Sequence, residues 1–123
     1  METLHLSARR TADTAVLSVA GELDMATAPH LLARVDGTLA DGRLPRVLVL
    51  DVGATVFIDA AGLGALLAAQ RAARRLDVPL RLSGASEAVD RLLSITRTRH
   101  CFTYAEADGD APGAQPDRRS ETA

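Results

Sequence analysis

The sequence predicts a single α/β domain: a mixed β-sheet with an N-terminal hairpin followed by alternating helices and strands. Three observations carry that expectation. Two short alternating segments open the chain within hairpin distance of each other, a continuous apolar run occupies its middle, and stretches with apolar residues at helical spacing separate the strand-like runs. At 123 residues the chain is close to the usual size of one domain with one core.

Leu4, Leu6 and Ala8 alternate with polar residues, and Leu17 and Val19 share one face of the segment 15–20. The polar stretch 9–14 between them predicts an antiparallel hairpin, whose second strand ends at Gly21-Glu22-Leu23-Asp24. Thr27 is the expected N-cap of a first helix, with Pro29 in the first turn, where a missing amide costs little. Ala28, Leu31, Leu32, Val35 and Leu39 repeat at helical spacing, and Gly42 is the expected stop. Arg46 to Val52 is the continuous run expected of a strand covered on both faces, as in a sheet fed by crossover helices. Asp59 is the expected N-cap of a second helix reaching to about Leu76. Its apolar stripe is Leu63, Leu66, Leu67 and Ala73, and Arg71, Arg74 and Arg75 lie toward the C-terminus, where positive charge suits the helix dipole. Leu80 to Ser83 reads as a strand, and Ser86 as the cap of a third helix carrying Val89, Leu92, Leu93 and Thr96. Phe102-Thr103-Tyr104 reads as a last strand. From Ala105 onward no large apolar residue appears, so burial there cannot offset ordering entropy. Residues 1–104 are therefore assigned to the domain and 105–123 to a disordered acidic and polar tail.

Hydrophobic content of 47% and charged content of 24% are those of an ordinary globular protein. Aromatic residues make up only 2%, which leaves no platform for stacking bases, and a net charge of −2 argues against broad contact with nucleic-acid phosphates. Asp51 and Asp59 interrupt the apolar stretch 47–69, leaving runs too short to span a bilayer. No basic-then-apolar leader opens the chain, and a single cysteine, Cys101, fits a reducing compartment. The expectation is a cytoplasmic protein that binds neither nucleic acid nor membrane.

No catalytic constellation is visible. His100 and Cys101 are adjacent, and in a strand they would face opposite ways; Cys101 is expected in the core. His5, His30 and His100 lack metal-ligand spacing. Asp51, at a strand end, is expected to satisfy nearby amides. Gly62-Leu63-Gly64 has neither the third glycine of a dinucleotide loop nor a Gly-Lys-Ser/Thr, so both glycines are expected to permit close helix packing. No cofactor is expected. Asp24 closes one strand and Asp59 opens a helix, and in an α/β sheet such ends converge at one rim. A shared exposed face built from Asp24, Ile58, Asp59, Ala60, Ala61, Gly62, Leu63 and Gly64 is the candidate binding site.

Three motifs, in order, resemble the STAS domain family, and within it the bacterial anti-sigma-factor antagonists. They are Gly21-Glu22-Leu23-Asp24 with Ala28-Pro29; Leu48-Val49-Leu50-Asp51 followed by Phe57-Ile58-Asp59 and Gly62-Leu63-Gly64; and Leu80-Arg81-Leu82-Ser83-Gly84. The resemblance runs from about Leu4 to Tyr104. It implies a protein that binds an anti-sigma factor, itself a serine/threonine kinase of the histidine-kinase-like ATPase fold, and so frees a sigma factor. In such partner switching the kinase phosphorylates a serine just before the motif glycine. Ala61 stands at that position, Ala60 matches a second residue that is often serine, and Asp24 and Asp59 match acidic residues around the site. The resemblance therefore implies an antagonist with its phosphorylation site lost at Ala61. Two other roles fit the same family: a small-ligand or nucleotide sensor or transporter accessory, and a non-switching scaffold subunit. A homodimer is compatible with each. Val52 to Val56 departs from the family pattern, with glycine one position early and Val56 in place of threonine; Thr55 there matches an apolar core position.

Overall fold

A computed structural model describes residues 4–105, so the assigned tail, Ala105 apart, lies outside the described residues. Strands β1 (Leu4–Arg10) and β2 (Thr14–Leu23) form the expected antiparallel hairpin, with Leu6 opposite Val19 and Ala8 opposite Leu17. Helix α1 (Ala28–Leu39) leads into β3 (Val47–Asp51), and a three-residue turn leads on to β4 (Thr55–Ile58). Helix α2 (Ala60–Arg75), β5 (Leu80–Ser83), α3 (Glu87–Thr96), a 3₁₀ turn (Arg99–Cys101) and β6 (Thr103–Tyr104) complete the described order. The α/β class and mixed sheet are as the sequence predicts.

The sheet order is β1-β2-β3-β5-β6, with every pairing after the hairpin parallel. Because the order advances in one direction, right-handed crossovers place α1, α2 and α3 on the same face. Their buried residues Leu31, Val35, Leu66, Ala69, Val89 and Leu93 share one core with Leu17, Val19, Leu48, Leu50 and Leu82 of the strands. This corrects the expectation for β3. Leu48 and Leu50 meet the helices, whereas Val49 lies on the opposite face, buried in register between Val16 and Arg81 with no described helix above it.

β4 is a strand that the sequence pattern does not predict. It continues the line of β3 along β2: Ser18 pairs with Asp51, then Gly21 with Thr55, Glu22 with Phe57 and Leu23 with Ile58. The extra residues on the β3–β4 side, Val56 among them, bend it away from β5, and Gly21 opposite this bulge takes φ 106°. Gly53 turns so close to Gly84 that a Cβ would stand 2.9 Å from the Gly84 carbonyl oxygen. Beyond this point the sheet divides, and α3 packs beside β4. β2 runs through Gly21 and ends at Leu23, inside the Gly21–Asp24 motif where its end is expected.

The caps are mixed. Asp59 and Ser86 cap α2 and α3 as expected, accepting from the amides of Gly62 at 2.9 Å and Val89 at 3.2 Å. Thr27 precedes α1 but makes no cap bond to it. Gly42, the expected stop, lies past the helix end at Ala40. In α3 Leu92 is half-buried and Thr96 exposed, so Val89 and Leu93 alone supply its buried stripe. Cys101, expected in the core, is exposed, because residues 99–101 form a 3₁₀ turn and not a strand.

Candidate functional site

Leu23 and Ile58 are register partners at the ends of parallel strands, so the residues that follow, Asp24 and Asp59, emerge side by side. The amide of Asp59 donates to the carbonyl of Leu23 at 3.3 Å, which ties the two chain turns together. The rim inferred from sequence is therefore a consequence of the β2–β4 pairing.

Asp24 organises the turn into α1. Its Oδ1 accepts from the amides of Ala26 (3.0 Å) and Thr27 (3.1 Å), while its own amide donates to the Thr27 hydroxyl at 2.9 Å. Thr27, only 5% exposed, donates that hydroxyl to the carbonyl of Glu22 at 2.8 Å. A buried hydroxyl with both roles filled holds Asp24 in place. Asp59 uses Oδ1 on Gly62. Both carboxylates are half-exposed, and among the described residues nothing donates to the second oxygen of either. Each aspartate thus does local work with one oxygen, and no described donor engages the other.

Between them lies the first turn of α2, whose leading amides lack intrahelical acceptors. Ala60 and Gly64 are exposed and Ala61 half-buried, while Ile58, Gly62 and Leu63 lie beneath the surface. The eight predicted residues therefore split: Asp24, Asp59, Ala60, Ala61 and Gly64 form the surface and the other three support it. Gly62 is the support that fixes its height. A Cβ there would overlap the Leu23 carbonyl oxygen and come within 2.8 Å of Ile58 Cγ1. Nothing lies within 4 Å of a Cβ on Gly64, so the expected packing role holds for Gly62 alone.

Two apolar side chains at this end lie outside the eight residues expected to form the site. Met25, beside Asp24, is 77% exposed, and Phe57, before Ile58, is 47% exposed. The signal was present in Met25, an apolar residue inside a turn bounded by Asp24 and Thr27. Phe57 opens onto a groove of about 590 Å³ between β4 and α3, lined also by Val56, Ser86, Ala88, Leu92 and Ile95.

Thr55 is fully buried and donates to the carbonyl of Val19 at 2.8 Å, so its hydroxyl is engaged inside the fold. Asp51 accepts from the Gly53 amide at 3.0 Å, the local role expected of it. His100 Nε2 and Cys101 Sγ stand 3.9 Å apart on the surface, remote in sequence from the rim. Among the described residues no group of three or more His, Cys, Asp or Glu is gathered as a metal site would require, and no helix is long and apolar enough to cross a membrane.

The family model for the STAS domain matches residues 5–109. An anti-sigma-factor antagonist from Mycobacterium paratuberculosis has a similar structure, with a TM-score of 0.69 at 26% identity over 86% of this chain and 89% of that one. Two more distant structures share the fold. The phosphorylated form of the Bacillus cell-fate determinant SpoIIAA gives a TM-score of 0.63 at 17% identity, covering 83% of this chain and 92% of that one. The STAS domain of an anti-sigma-factor antagonist from Rhodobacter sphaeroides gives 0.60 at 22%, covering 71% and 96%. No curated protein sequence matches the chain.

Proposed function

The chain belongs to the STAS domain family, and from that premise we propose that it is an anti-sigma-factor antagonist whose binding face is the rim from Asp24 to the first turn of α2. The observation that carries this reading is the pair of half-buried aspartates at the ends of paired strands, each with one oxygen anchored and the other without a described donor, at the start of the turn that holds Ala60 and Ala61. Such a rim suits a partner with cationic or N–H donors opposite Asp24 and Asp59 and an apolar patch for Met25 and Phe57. The partner proposed is an anti-sigma factor of the kinase type, engaged in the cytoplasm, with release of a sigma factor as the outcome.

In this reading the complex is not dissolved by phosphate at residue 61. A phosphoserine there would bring roughly −1.5 to −2 charges beside two carboxylates, repelling them and resisting burial in an interface. Ala61 has no oxygen to carry it. The same electrostatics disfavour a nucleotide sensor at this face, since the Gly62 amide is already taken by Asp59 and the two carboxylates repel a phosphate.

The test is capture of partners from the source cell with the full chain, followed by incubation of the purified pair with ATP. Recovery of an anti-sigma kinase whose complex survives ATP supports the proposal. Its failure to bind, or binding undiminished by Asp24→Arg with Asp59→Arg, counts against the face. Ala61→Ser is expected to accept phosphate from that kinase and to release it.

A further inference from the structure

A cationic hollow lies at the C-terminal end of α3, away from the rim. It is lined by Leu93, Ser94, Arg97, Arg99, His100 and Tyr104. Ser94 is exposed on the last turn of the helix, and the Arg99 guanidinium donates to its Oγ at 3.1 Å. Arg99 also pairs with Asp90, and Arg91, one turn before Ser94, stands 3.5 Å from Glu87.

Arg97 is one of two described non-glycine residues with a left-handed backbone, the other being Asp77 after α2. The amide of Arg97 donates to the Ser94 carbonyl and that of Thr98 to the Leu93 carbonyl, which ends the helix with residue 97 in the left-handed region at φ 59°. Glycine takes this position without strain, and any Cβ-bearing residue is strained there. The chain keeps an arginine where the backbone favours glycine, three residues from a hydroxyl already held by a second arginine. Asp77 keeps the same φ, so what singles out Arg97 is its place in the hollow that Ser94 also lines.

We propose that Ser94 is a phosphorylation site whose phosphate monoester is held by Arg97 and Arg99. In the transfer, the Ser94 oxygen attacks the γ-phosphorus of a nucleoside triphosphate bound to a protein kinase. The bond from that phosphorus to the bridging oxygen breaks, the nucleoside diphosphate leaves with the electron pair, and the hydroxyl proton passes to the kinase's base. A phosphate at a bare helix C-terminus meets the negative end of the dipole. Two guanidiniums reverse that sign here, and the new dianion competes with Asp90 for Arg99. The proposal is independent of what binds the rim.

Two experiments test it on the full chain. With phosphoserine installed at position 94, phosphorus NMR is expected to place the second phosphate pKa about one unit below its usual value near 6. Arg97→Gly is expected to raise the thermal midpoint while returning that pKa toward its usual value; a purely structural arginine would move the midpoint alone. An unshifted pKa, or one unmoved by both Arg97→Gly and Arg99→Ala, overturns the site. In the second, the chain is incubated with γ-labelled ATP and lysate of its source cell, then mapped. Label at Ser94, lost in Ser94→Ala, supports the acceptor; no label, or label elsewhere only, overturns it.

Discussion

Two glycines in one motif have opposite consequences. Gly62→Ala drives a methyl group into the Leu23 carbonyl, and a cost of about 1–3 kcal/mol is expected for such overpacking. Gly64→Ala meets open space inside a helix and is expected to be neutral or to stabilise by up to about 1 kcal/mol. Urea denaturation of the two variants checks the contrast. Tyr104 offers a second probe, as the chain's one tyrosine in a protein without tryptophan. Partial burial pushes its hydroxyl above the usual value, opposed by the charge of Arg99 and reinforced by Asp90 and Cys101. A raised folded pKa means that the stabilisation is complete below the unfolded value, about 10, and is lost as pH rises through the folded value. Absorbance at alkaline pH is therefore expected to titrate later in the folded chain than in urea. At this scale the sequence was informative wherever chemistry is local. The caps at Asp59 and Ser86 could be read because capping joins residues three apart. The exposure of Cys101 could not, because it depends on a 3₁₀ turn set by what α3 and β6 allow.

Among the strands, β4 is the one the sequence does not reveal, and the reason is physical. It is four residues long, with Val56 and Phe57 both exposed, so it shows no alternation, and its partner β2 is far away in sequence. Its anchor is Thr55, whose hydroxyl reaches Val19, and Ser86, whose hydroxyl donates to the Thr55 carbonyl. Thr55→Val keeps the shape but leaves the Val19 carbonyl short of a donor, and a loss of about 1–3 kcal/mol is expected. Asp59→Ala removes the α2 cap, with an expected loss of about 0.5–2 kcal/mol by the same denaturation measurement. If the rim binds as proposed, Asp59→Asn, which keeps a capping oxygen, is expected to spare stability and weaken the complex.

For the whole molecule, the strand order explains what the sequence left open. Apart from β4, the strands and helices were legible, and the right-handed rule then places every crossover on one face once the order is known. That order depends on pairings between distant segments, which no local pattern encodes. Hydrogen exchange is expected to be slowest at Leu48 to Leu50, in the strand flanked by β2 and β5, and fastest along the edges β1 and β6. The candidate rim was foreseen as eight residues, yet which five reach the surface follows from the seating of α2 on Leu23. That seating has a consequence in heredity. Gly62 sets the height of residue 61 whatever its side chain, so the scaffold retains the place for a hydroxyl even where none is present. On the proposed reading, a permanent antagonist and a switchable one share a backbone and differ by a single oxygen atom. Any alanine codon becomes a serine codon by one base change, so a lineage can lose or regain this control without rebuilding anything around it.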